Sequence, residues 1–120
     1  MANIAAFFGP NRAQKIDNID KDIDTVRPLV NEIVSINNDV RLSGGIPRLI
    51  SELNKEVNSK NYDPKKIYWL AKNIQGQAKD RNKAIYSQQG KIHPGSQHAN
   101  ELSANQKTME LSRRIKHGGK

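Results

Sequence analysis

The N-terminal half of the chain carries a ladder of apolar residues at helical spacing. Its members are separated alternately by three and four residues, the a/d pattern of a heptad repeat, and they are Ile16, Ile19, Ile23, Val26, Val30, Ile33, Asn37 and Val40. The ladder predicts a helix over residues 11–41. Such a ladder packs either inside a monomeric bundle or between chains, and an asparagine at an a position is a known device for fixing register between chains.

Pro28 complicates this helix. A proline inside a helix removes one N–H donor, and its ring clashes with the carbonyl four residues earlier, here that of Asp24. We therefore expect either one kinked helix or two helices with a break near Thr25–Pro28. From Leu29 onward the apolar stripe widens, which suits a bundle with more than one neighbour better than a two-stranded coiled coil.

Two shorter amphipathic helices are predicted downstream, over residues 46–60 and 64–88. Gly44-Gly45 ends the first helix, and Pro47 suits the first turn of the next one. No segment shows the alternation of apolar and polar residues that is typical of a strand. The pattern therefore predicts an all-α fold, a small bundle of three to four helices.

The basic C-terminal segment, residues 91–120, is less regular. A fourth helix is expected from Ser96 to about Lys116, although its apolar residues do not share one face. Residues 113–120 contain two glycines and four cations, so we expect this tail to be disordered. The chain thus divides into an apolar N-terminal segment (1–10), a helical domain (11–90) and this basic segment.

Composition favours association between chains. With 120 residues, 35% of them hydrophobic, and a mean hydropathy of −0.80, the chain can bury only a thin core by itself. We therefore expect a homo-oligomer in which the ladder residues form the contact. The absence of cysteine excludes disulfides and fits a cytoplasmic location. No apolar run approaches the roughly 18–20 residues that span a bilayer, and residues 1–9 lack a cationic signal-peptide start, so no membrane contact is expected.

Charge is divided between the two halves of the chain. Residues 1–63 hold eight Lys/Arg and nine Asp/Glu, a net charge of −1, whereas residues 64–120 hold twelve and three, a net charge of +9. A basic excess of this size indicates an anionic partner for the C-terminal half. The partner is either nucleic acid or an acidic protein surface.

The third predicted helix carries the most specific functional signal. Four lysines project within about 40° of one another at 100° per residue, with aromatic residues beside them. Such a face binds phosphates and offers rings for stacking on bases, although a solvated lysine face has the same pattern. Together with basic residues near the C-terminus, the predicted nucleic-acid contacts are Lys65, Tyr68, Trp69, Lys72, Lys79, Lys83, Tyr86, Arg113, Arg114 and Lys116.

Catalytic and metal-binding patterns are not found. The three histidines (His93, His98 and His117) do not share a helical face and have no acidic cluster nearby, so neither a metal nor a cofactor is expected. No phosphate loop, dinucleotide fingerprint or nucleophile–base pattern occurs, and the chain is predicted not to be an enzyme.

Both phenylalanines of the chain, Phe7 and Phe8, lie in the N-terminal apolar segment. They either fold back to cap the small core or anchor the chain to a partner protein, as aromatic hot spots do.

Two functions are compatible with these features. The first is a small, non-catalytic nucleic-acid-binding protein, an accessory or architectural factor of the kind found among phage and bacterial proteins. The second is a protein–protein interaction module (an inhibitor, adaptor or assembly factor) that docks its basic half on an acidic protein surface. The aromatic residues among the lysines favour the first function, and the heptad ladder with Phe7 and Phe8 favours the second.

Overall fold

The protein forms five α-helices over the residues that the computed structural model describes, which are 11–89, 93 and 95–120. No strand occurs in these ranges, so the all-α class is confirmed. There are five helices, not three to four, because the predicted N-terminal helix is divided in two. The apolar segment 1–10, with Phe7 and Phe8, lies outside the described residues. The helices are α1 (Arg12–Lys21), α2 (Ile23–Asp39), α3 (Ile46–Val57), α4 (Pro64–Gln89) and α5 (Gln97–Lys116).

The N-terminal helix divides at Asp22 and not at the expected Thr25–Pro28. Asp22 leaves helical geometry, with φ −111° and ψ 31°, and its carbonyl accepts the first N–H groups of α2. Pro28 lies inside α2, where the Asp24 carbonyl loses its usual helical donor without ending the helix. The break allows the apolar residues of α1 and α2 to face the same core.

The apolar ladder packs within one chain. Helices α3, α4 and α5 cover it, and four of its members are fully buried, with 0% of their surface exposed: Ile19, Val26, Val30 and Ile33. Other ladder residues are half-buried and pack against this core: Ile16, Ile23 and Val40. The four fully buried ladder residues therefore form part of the core of one chain and are not available for a contact between chains, whereas such a contact through the half-buried ladder residues stays a prediction.

Asn37, the polar member of the ladder, also serves its own chain. Its Oδ1 accepts the N–H of Leu42 at 3.1 Å, just beyond the end of α2. This hydrogen bond satisfies a backbone donor in the connection that follows α2. Within its own chain Asn37 thus shapes the connection from α2 to α3.

Helix α5 runs antiparallel to α4 and buries a polar stripe, which consists of Glu101, Asn105, Thr108 and Ser112. Asn105 Nδ2 donates to Asn82 Oδ1 at 2.9 Å, and Asn82 Nδ2 donates to the Leu102 carbonyl at 3.3 Å. Asn105 Oδ1 and the hydroxyls of Thr108 and Ser112 have no hydrogen-bond partner in the described ranges. Polar residues thus occupy core-facing positions, which explains why hydrophobic periodicity defines this helix so poorly.

Glu101 connects three parts of the fold through its carboxylate. Its Oε2 accepts from Arg81 Nε of α4 and from Ser43 Oγ of the α2–α3 connection, both at 2.7 Å. The side chain is only 7% exposed. The Arg81 hydrogen bond, helped by that of Ser43, outweighs burial and lowers the pKa of Glu101 below its usual value of 4.5. This charged group therefore joins the start of α5 to the rest of the bundle.

The C-terminal tail is ordered, contrary to the expectation for residues 113–120. Gly118 N–H donates to the Ile115 carbonyl (3.0 Å) and Gly119 N–H to the Arg114 carbonyl (2.7 Å), the two bonds of a Schellman cap. Both glycines have positive φ and are buried, and Ile115 is fully buried in the core. The Gly118-Gly119 pair therefore caps α5, although glycines near a chain end are also typical of a mobile tail.

This cap is held against α1. A Cβ on Gly118 would lie 2.9 Å from Asn18 Cβ and from the Asn18 carbonyl oxygen, which is shorter than a van der Waals contact. A Cβ on Gly119 would lie 2.6 Å from Thr25 Cγ2. The absence of a side chain at both positions therefore permits the end of α5 to touch α1 and the start of α2.

Substituting three glycines tests the cap contact. Gly118→Ala should lower the free energy of unfolding by about 2 kcal/mol or more, because it combines strain at φ 78° with the close contact to Asn18. Gly44→Ala, at φ 63° but with nothing within 4 Å, should cost only the backbone strain, about 1 kcal/mol. Gly76→Ala, inside α4 and in open space, should stabilise by about 0.5–1 kcal/mol. Urea unfolding measures all three. Equal losses for Gly118→Ala and Gly44→Ala would mean that the cap does not pack on α1.

Glu101 should make the stability depend on acid pH. Because its folded-state pKa is lowered, its contribution is complete above about pH 4.5 and is lost as pH falls through the folded-state value. Glu101→Gln should therefore cost about 1–3 kcal/mol at pH 7 and flatten the loss of stability below pH 4.5. Glu110→Gln, which breaks the exposed Arg113 pair, is the matched control and should lower stability much less than Glu101→Gln, because water screens the exposed pair. Equal pH profiles for wild type and Glu101→Gln, measured by urea unfolding, would contradict this role.

Candidate nucleic-acid interface

The lysine row, defined as Lys65, Lys72, Lys79 and Lys83, lies exposed along α4. At about 1.5 Å per residue it extends for about 27 Å. Asp63 directly precedes α4 and caps its first turn, because its Oδ1 accepts the Lys65 N–H at 3.0 Å. Asp80, the only carboxylate of α4, lines a groove with Ser43 and forms no ion pair with Lys83, three residues further along the helix. No carboxylate in the described ranges pairs with a lysine of the row.

Trp69 lies beside the row and is half-buried. Its ring meets that of Tyr68 edge-to-face, with the centroids 5.7 Å apart. Lys72 Nζ lies 4.7 Å from the centroid of the Trp69 ring, and Arg12 Cζ of α1 lies 5.4 Å from it. Two cations therefore lie over the indole, and a nucleobase would have to displace one of them to stack there. The Trp69 ring therefore holds the charged groups of Arg12 and Lys72 in position.

The two tyrosines of α4 differ sharply in exposure. They are about five helical turns apart and share one angular position, yet Tyr68 is 5% exposed and Tyr86 is 62% exposed. Tyr68 belongs to the core cluster, so its assignment as a nucleic-acid contact is wrong. Tyr86 remains available, at the far end of the row from Trp69.

Helices α1 and α5 bring further cations to the same surface. Arg12 of α1 reaches Trp69, and burial together with nearby Lys15, Lys72 and Arg113 lowers the pKa of Lys116 below its usual 10.5. We call the group of Arg12, Lys15, Lys72 and Lys116 the basic junction. The pKa of His117, beside it, is likewise lowered by burial and by neighbouring cations.

Arg12 and Lys15 were missed by the sequence analysis, although a local signal existed. On a helix, a cation pairs with a carboxylate three or four residues away, as Lys21 of α1 does with Asp17 at 3.0 Å. Neither Arg12 nor Lys15 has a carboxylate at such a position. What the sequence could not reveal is that this unpaired side of α1 meets α4 and α5.

The two arginines predicted as contacts are less available than the lysines. Arg113 forms an exposed ion pair with Glu110, which also raises the pKa of the guanidinium. Arg114 is half-buried, and its carbonyl accepts hydrogen bonds of the C-terminal cap. Their contribution to the positive surface is therefore smaller than their formal charges indicate.

The far end of the lysine row borders a groove between α4 and α5. Lys79, Lys83 and Tyr86 line one side, and Leu102, Gln106 and Met109 of α5 line the other. The groove combines ammonium groups, an exposed ring and apolar walls. Its composition suits an extended anionic chain with flat apolar groups better than it suits a small charged molecule.

Comparison of the chain with protein families, curated proteins and solved structures finds no match. Among the described residues, no helix combines the length and the apolar character needed to cross a bilayer. No group of three or more His, Asp or Glu side chains in the same residues is arranged to hold a metal ion.

Proposed function

We propose that the protein binds nucleic acid, without catalysing a reaction, through the lysine row together with the basic junction and Tyr86. The observation that carries this proposal is the row of four exposed lysines with no carboxylate partner in the described part of the chain, extended by cations of α1 and α5. A phosphate backbone is the common biological polymer that such an elongated cationic surface fits. An accessory or architectural role follows from binding of this kind.

The distribution of ion pairs supports the proposal. Six cations of the described residues pair with carboxylates, and they include Lys66, which reaches Glu56 at 3.4 Å. Lys65, its neighbour in sequence, belongs to the exposed row and has no ion pair. Within α4, therefore, the lysines of the row have no ion pair, whereas Lys66 and Arg81 are neutralised by Glu56 and Glu101.

The chemistry of the row favours backbone contact over base recognition. Lysine ammonium groups act as point charges, whereas recognition of a base edge needs paired donors and acceptors. Lysines seven residues apart on α4 are separated by about 10.5 Å, a distance that a run of backbone phosphates can match. Binding should therefore depend strongly on salt and weakly on sequence. An acidic protein surface is the competing partner, and the following test separates the two.

Removal of two row lysines should reduce the salt dependence of DNA binding. Each phosphate contact on duplex DNA contributes about 0.9 to the slope of log affinity against log salt, so Lys72→Gln with Lys79→Gln should lower the slope by about 1.8. Stability should change by about 1 kcal/mol or less, mainly through the Lys72–Trp69 contact. Fluorescence anisotropy with a duplex at several salt concentrations measures the slope.

The matched control removes the same charge elsewhere. Lys55 and Lys60 are exposed at the end of α3 and beyond it, and Lys55→Gln with Lys60→Gln should leave the slope unchanged. If the row variant also keeps full affinity and an unchanged slope, the row is only a solvated face. Docking on an acidic protein would then be the better hypothesis.

Trp69 provides a second test, because positioning cations and stacking on bases have different consequences. Trp69→Leu keeps an apolar side chain but removes the ring over which Arg12 and Lys72 lie. We expect duplex and single-stranded DNA to lose affinity by the same factor. A base-stacking role would instead cost about 1–3 kcal/mol on single strands and much less on duplex. Binding of both DNA forms at one salt concentration distinguishes the two roles.

A further inference from the structure

The basic junction gathers cations from three helices. Arg12 and Lys15 lie one turn apart on α1, Lys72 lies on α4, and Lys116 lies in the last turn of α5. The centroid of the Trp69 ring lies 5.4 Å from Arg12 Cζ and 4.7 Å from Lys72 Nζ. The sequence separates the outermost members by more than a hundred residues, so only tertiary packing brings these charges together.

The fold holds this arrangement in place. The Schellman cap directs Gly118 onto Asn18 of α1, at a separation that excludes any side chain. Lys116 lies two residues before this contact, and Lys15 lies one turn before Asn18. The close packing of the two helices therefore fixes the backbone from which both ammonium groups extend.

Bringing these cations together destabilises the unliganded protein. No carboxylate in the described ranges pairs with any of the four junction cations. Lys116 is partly buried, and Lys15, Lys72 and Arg113 repel its charge. His117 is the other titratable group on this side. A bound anion would relieve both the repulsion and the lost solvation.

We propose that the basic junction is a phosphate-binding site. Guanidinium and ammonium groups are the side chains that bind phosphate oxygens, the junction gathers them from three helices, and the Arg12 guanidinium can bind two oxygens at once. The phosphate comes either from a nucleic-acid backbone, which rests on the proposed function, or from a small polyphosphate. In the first case the junction anchors one end of the lysine row to the backbone.

The test measures thermal unfolding of the full chain with tripolyphosphate at low-millimolar concentration and fixed ionic strength, because multivalent anions at high concentration stabilise proteins in general. The midpoint of the wild type should rise by about 5 °C when tripolyphosphate is at about ten times its Kd. Lys116→Gln should raise the midpoint of the free protein, since it removes a partly buried and repelled charge, and should remove most of the tripolyphosphate shift. Lys55→Gln, an exposed lysine of α3, is the control and should change neither value.

Equal tripolyphosphate shifts in wild type and Lys116→Gln would overturn the site, as would a wild-type shift no larger than that of sodium chloride at the same ionic strength. Lys15→Gln provides the same measurement if Lys116→Gln does not fold; loss of the shift supports the site and a full shift overturns it. Duplex binding by the same variants identifies the source of the phosphate. Weaker duplex binding supports the backbone, whereas unchanged duplex binding with loss of the shift supports a small polyphosphate. Failure of the proposed function is seen separately, as an unchanged salt slope when Lys79→Gln is combined with Lys83→Gln, because these two row lysines lie outside the basic junction.

Discussion

The contact between the Gly118–Gly119 turn and α1 determines where the charges of this protein lie. Because neither glycine has a side chain, the end of α5 approaches the backbone of Asn18 and the methyl group of Thr25 more closely than other residues allow. The contact packs the end of α5 against α1. In this arrangement Arg12 lies beside the Trp69 ring and Lys15 lies near Lys116. A basic surface that the sequence confines to the C-terminal half thereby gains cations from the N-terminal half.

Helix α5 is held by polar groups where most bundles use apolar ones. The carboxylate of Glu101 accepts hydrogen bonds from Arg81 and Ser43. Further along the stripe, the side-chain oxygen Oδ1 of Asn105 and the hydroxyls of Thr108 and Ser112 lack partners in the described ranges. Each buried polar atom without a partner costs about 1–3 kcal/mol. These groups and the repulsion at the basic junction both lower the stability of the packing of α5. A ligand that bridges α1, α4 and α5 would stabilise this packing.

The aromatic residues of α4 illustrate how one helix face acquires different functions along its length. Tyr68 is covered by the bundle and contributes to the core, Trp69 is half-covered and organises two cations, and Tyr86 is exposed beside the α4–α5 groove. The same face therefore changes from structural to accessible over about five turns. A phosphate backbone lying along the row would meet the organised cations at one end and the free ring at the other.

Local chemistry was sufficient to establish the helical class, the starts of α4 and α5, and the exposed lysine row. These features depend on helical periodicity, on Asp63 before Pro64 at the start of α4, and on the spacing of the four lysines along one face. The break at Asp22, the burial of the ladder within one chain, the order of the C-terminal cap and the burial of Tyr68 depend on which helix packs against which. A helical pattern specifies the direction in which a side chain points but not what lies there. The basic junction is the clearest case, because its charges belong to helices distant in sequence and are brought together only where Gly118 meets α1.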